Sequence, residues 1–126
     1  MRTLKMLCLF LPLSITGPAW ADEATDAFEP SATRGQKTFE AVCSHCHHLT
    51  NQVSVVGCPG LKDVLSRHDV TWLDTWLKSP EVFAKVDIKA KEVVDANPYG
   101  LVMPTLPEMR NEKDRLDIIE FLKTLK

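Results

Sequence analysis

Cys43, Cys46 and His47 fall in the run Cys43-Ser44-His45-Cys46-His47, a C-x-x-C-H pattern. Two thiols three residues apart on a helical turn can both reach one edge of a porphyrin and close thioether bonds with its vinyl groups. The histidine that follows then points its imidazole at the iron, so the pattern reads as covalent haem attachment with His47 as proximal ligand. Two other chemistries use C-x-x-C. Cys58 with Cys43, Cys46 and His47 could complete a Cys3His zinc set, and a bare dithiol could exchange disulfides. The second wants a strand-then-helix context, whereas here a helical segment precedes the motif.

The amino terminus indicates the compartment. Arg2 and Lys5 precede an apolar run from Met6 to Ile15, followed by Ala19-Trp20-Ala21, a small-x-small site for signal peptidase. Residues 1-21 are therefore expected to be a cleaved secretory signal peptide and the mature protein to be periplasmic. An apolar run of about ten residues is half of what spans a bilayer, so no membrane anchoring is expected after cleavage. Cys8 leaves with the signal, and the mature thiols are Cys43, Cys46 and Cys58.

The remaining 105 residues suit one compact domain whose small core would gain from a large buried group. Thirteen basic side chains stand against 17 acidic ones after processing, a net charge of −4. That balance, without basic runs interleaved with aromatics, excludes nucleic acid as partner and favours a docking partner with a basic face.

Residues 22-30 are acidic, end in Pro30 and read as a mobile lead-in to a domain at 31-126. Ser31 or Thr33 can cap a helix that carries Gly35 and Phe39 on one face and runs into Cys43. Asn111 to Leu125 reads as a second helix, with Leu116, Ile118, Ile119, Phe121, Leu122 and Leu125 on its apolar side. A third spans about Thr71 to Ser79, capped by Asp69 or Thr71 and stopped by Pro80. A shorter one lies between Asp87 and Ala96. No alternating strand pattern occurs, so the expected fold is all-α, with about four helices.

These pieces together resemble the small single-haem class I cytochromes c, over essentially all of residues 31 to 126. The likeness begins with Gly35-x-x-x-Phe39-x-x-x-Cys43-x-x-Cys46-His47 and continues with Pro59-Gly60-Leu61, where Cys58 replaces a usual glycine. It ends with Met103-Pro104, 56 residues after His47. The resemblance implies a cytochrome c fold around one haem c, with Gly35 and Phe39 meeting Ile118 and Phe121 where the terminal helices cross. It implies that the Pro59 carbonyl accepts the Nδ1 proton of His47, that Met103 is the sixth ligand in preference to Met109, and that Arg67 lies near a haem propionate. Trp72 or Trp76 is a further candidate donor to a propionate. His45, His48 and His68 are weaker candidates as ligands.

The function implied is one-electron transfer between protein donor and acceptor rather than enzyme catalysis. A haem subunit docked to a periplasmic oxidoreductase and a gas-binding haem protein are the alternatives.

Overall fold

The computed structural model describes residues 27–126. The signal-peptide expectation (1-21) and most of the lead-in lie outside them. Six α-helices follow in order: α1 (Ala32–Ala41), α2 (Val64–Arg67), α3 (Val70–Lys78), α4 (Pro80–Phe83), α5 (Ile88–Asp95) and α6 (Glu112–Leu122). Two 3₁₀ turns, Cys43–His45 and Pro107–Arg110, complete the regular structure, and the described residues contain no strand. The all-α expectation is met. The two helices beyond the expected four, α2 and α4, have four residues each, too few for a helical period to register in sequence.

Each longer helix starts where a short polar side chain can satisfy an orphan backbone N–H. Ser31 rather than Thr33 caps α1, its Oγ accepting from Arg34 N. Asp69 rather than Thr71 caps α3 by accepting from Trp72 N at 2.8 Å. Asp87 caps α5 and Asn111 caps α6. Pro80 both ends α3 and opens α4: as the first helical residue its missing N–H costs nothing and its fixed φ is already helical.

The core forms where α1 crosses α6. Gly35 faces the α6 backbone so closely that a Cβ there would stand 2.0 Å from the Asp117 carbonyl oxygen and 2.9 Å from the Phe121 Cβ. Only glycine permits this approach. One turn on, the Phe39 and Phe121 rings meet in a tilted pair with centroids 5.5 Å apart. Val64, Leu73, Leu77, Met109, Ile118, Ile119 and Leu122 join them in one buried cluster, each full burial contributing about 1.5–3 kcal/mol.

Two ion pairs frame this core. Asp117 is buried; its carboxylate accepts from Arg34 Nε at 2.6 Å and from the Ser31 backbone N–H at 2.6 Å. Buried Arg115 donates from Nε to Asp74 of α3 at 2.7 Å and from Nη1 to the carbonyls of Met109 and Arg110, which fixes the second 3₁₀ turn against two helices. Phe28, ahead of α1, lies under the cations of Arg34 and Lys113, each 5.3 Å from its ring centroid. No described helix is long and apolar enough to cross a membrane.

Candidate cofactor site

At Val42 helix α1 ends and the chain tightens into a 3₁₀ turn, in which the Cys46 and His47 N–H groups both donate to the Cys43 carbonyl, at 3.1 and 2.9 Å. The turn places Cys43, Cys46 and His47 on one wall of a cavity of about 690 Å³. Cys43 is buried and Cys46 exposed. Burial is the foremost cause that pushes the Cys43 thiol up to about 11, so it is an S–H at neutral pH.

His47 is oriented by its neighbour across the loop. Its Nδ1 lies 2.9 Å from the Pro59 carbonyl. A carbonyl can only accept, so Nδ1 carries the proton and Nε2 keeps its lone pair. Burial, opposed by the Pro59 bond, holds the ring below the usual imidazole range. A neutral imidazole with a free Nε2 is the state a metal requires.

The loop that presents Pro59 is tied at many points. Leu61 N donates to the His48 carbonyl and Lys62 N to that of Thr50, while Ser54 and Cys58 close a tight turn through Ser54 N to Cys58 O and Cys58 N to Ser54 Oγ. Gly60 is pressed against this backbone, where a Cβ would stand 2.1 Å from the Thr50 oxygen. Cys58 is no strained substitute for a glycine: the positive φ in this turn belongs to Gly57, at 78°. Arg67 lines the cavity, and its Nη2 donates to the Gly60 carbonyl at 2.7 Å. The guanidinium therefore braces the Pro59 loop.

Met103 and Pro104 also line the cavity, together with Leu101 and Val102. Met109, the competing sulfur, is completely buried in the helical core and does not line the cavity. His45 and His48 are exposed, and His45 Nδ1 is spent on the Val42 carbonyl. An aromatic stack forms much of the remaining wall. His68 lies on Trp72 with ring centroids 3.9 Å apart, and Trp72 on Trp76 at 5.3 Å. The Trp72 indole N–H is directed at Asp87, 3.1 Å away, which leaves Trp76 as the indole free to serve a bound group.

Asn97 is a site residue that sequence reasoning missed. It lines the cavity and hydrogen-bonds the backbone on both sides of it, to Val56, Tyr99 and Leu101. The sequence signalled only a helix stop at Asn97-Pro98.

A haem fits these residues. The cavity is within the range that encloses drug-sized ligands and its lining is largely apolar. Two cysteines, a lone-pair imidazole and a thioether all line it, and one buried polar atom, His68 Nδ1, has no partner among the described residues. No group of three or more Cys, His, Asp or Glu side chains among those residues is placed to hold a metal ion, so the zinc set lacks its geometry.

Fold and site thus define an all-α domain built around a covalently held haem. The sequence model of the cytochrome c family matches residues 32–126, and the chain belongs to that family. Its members bind haem c through a cysteine pair and work in haem-based electron transfer. No curated protein and no solved structure matches the chain.

Proposed function

We propose that the protein is a periplasmic one-electron carrier, attached to a single haem through Cys43 and Cys46 and ligating its iron through His47 and Met103. The observation that carries this reading is the His47 Nδ1–Pro59 bond, which leaves Nε2 free on a cavity that Met103 also lines. When bound, haem supplies an iron that cycles between ferric and ferrous states at fixed ligation. The chain's own residues do the rest. Pro59, itself braced by Arg67 on Gly60, holds the imidazole in one tautomer. Leu73, Trp76 and Leu77 exclude water. Met103 offers a neutral, soft donor that favours the reduced state.

The opening suits transient docking. Val53, Leu101 and Val102 line the cavity yet remain 64%, 51% and 39% exposed, an apolar rim through which a redox partner can approach. The mature net charge of −4 favours partners with a basic face.

Carbon monoxide tests the reading. The ferrous holoprotein is expected to keep its spectrum under the gas, because Met103 occupies the sixth position; a shifted Soret band would move the protein to the gas-binding class. Size-exclusion chromatography of the native protein is expected to give a monomer. A persistent complex would indicate a docked subunit.

A further inference from the structure

His68 is the residue that the haem reading leaves unexplained. Its Nδ1 is the single buried side-chain nitrogen or oxygen without a hydrogen-bond partner among the described residues. Native folds rarely leave such an atom unpaired, because its desolvation is uncompensated. The ring cannot swing away to find a partner. It is stacked at 17° on Trp72, which is held in turn by Trp76 and by the indole bond to Asp87. His68 lines the cavity, so what completes Nδ1 is the occupant.

A haem bound by two thioethers has only two kinds of polar site, the iron and the two propionate carboxylates. With the iron taken by His47 and Met103, we infer that His68 Nδ1–H donates to a haem carboxylate and that the His68 ring takes up a proton when the iron is reduced. This rests on the haem reading of the cavity.

The charges around the ring make it responsive. Arg67 and Lys89 oppose its protonation, while Asp69 and Asp87 favour it. Both carboxylates are already engaged, Asp69 on Trp72 N and Asp87 on Ala90 N and the Trp72 indole, and Arg67 on Gly60 O. Burial, foremost, then holds the ring below the usual imidazole range. A haem carboxylate adds one negative charge beside it, and reduction removes one positive charge from the iron. Both changes favour the imidazolium. In the balanced step, a redox partner gives one electron to the ferric iron and solvent gives one proton to Nε2 of His68. Oxidation returns both.

The test is spectroelectrochemical titration of the holoprotein between about pH 5 and 9, where histidine titrates, on wild type and His68→Gln. The amide keeps a donor but cannot titrate. In wild type the midpoint potential is expected to fall as pH rises between the two ring pKa values, each tenfold difference in proton affinity between redox states corresponding to about 59 mV. In His68→Gln it is expected to be flat. A flat wild-type profile, or a slope that survives the substitution, overturns the inference. So does loss of low-spin ligation in the variant, which would make His68 an iron ligand. If the variant fails to take up haem, ¹⁵N NMR of the wild-type ring decides: equal pKa values in both redox states refute the coupling. Failure of the haem reading itself would show separately, as absence of a Soret band.

Discussion

The Asn97 side-chain amide donates to the Val56 carbonyl across 3.1 Å, while its oxygen accepts from the backbone N–H groups of Tyr99 and Leu101. One side chain thereby ties the turn that leads to Pro59 to the segment that leads to Met103. Gly57 makes the approach possible, since a Cβ there would meet Pro98 Cδ at 2.8 Å and Asn97 Nδ2 at 2.9 Å. At about 0.5–1.5 kcal/mol for each hydrogen bond, Asn97→Ala is expected to cost roughly 2 kcal/mol in urea denaturation. It should also lower the temperature up to which the sixth ligation proposed for Met103 persists, read from the optical spectrum of the holoprotein. Wild-type stability with an unaltered spectrum would mean that the two loops hold without it.

How far the sequence disclosed this site depends on sequence separation. Cys43, Cys46 and His47 are local, and one helical turn relates Gly35 to Phe39, so their roles could be read from spacing. The Asn97–Val56 and Arg115–Asp74 bonds each join residues 41 apart, and nothing at either end names the other. Arg67 shows the same limit. The family resemblance places Arg67 near a haem propionate, whereas the structure shows its Nη2 on the Gly60 carbonyl, a partner that the sequence does not mark. His68 stands in the sequence only as a weaker ligand candidate, because a ring nitrogen left without a partner shows only once the chain is folded around it.

The Gly35 contact sets the angle at which α1 crosses α6. Gly35→Ala would place a methyl 2.0 Å from a backbone oxygen, which a side-chain rotation cannot relieve. Overpacking of this kind costs about 1–3 kcal/mol, and thermal unfolding of the variant should shift downward accordingly. An unchanged melting temperature would show that the helices can separate freely.

Acid should weaken the same crossing. Burial acts to raise the Asp117 pKa, but the Arg34 side chain and the Ser31 N–H outweigh it and hold the carboxyl below its usual range. A depressed folded pKa contributes stability that is present above the ordinary value of 3.8 and is lost as pH falls through the lower folded value. Asp117→Asn should therefore be less stable than wild type at pH 7, with the difference shrinking as pH falls below 3.8. A gap that stays constant with pH would assign the loss to packing.

With two thiols in thioether linkage, Cys58 is the one thiol left in the described chain. It is half-buried, and burial, the foremost cause, pushes its pKa up. Alkylation should count one thiol, react slowly at pH 7 and keep accelerating past the ordinary thiol value of 9.0. Cys58→Ala should count none and leave the haem spectrum unchanged. Fast labelling at neutral pH would instead mark a reactive thiolate.

Met103 is the residue on which the electron-carrier account turns. The decisive measurement is the optical spectrum of the ferric holoprotein, wild type and Met103→Ala, followed into the near infrared. The account predicts a Soret band in both proteins, a weak methionine–iron charge-transfer band in wild type, and complete loss of that band with a lower reduction potential in the variant. A Soret band without the near-infrared band in wild type, or a band that survives Met103→Ala, would contradict it.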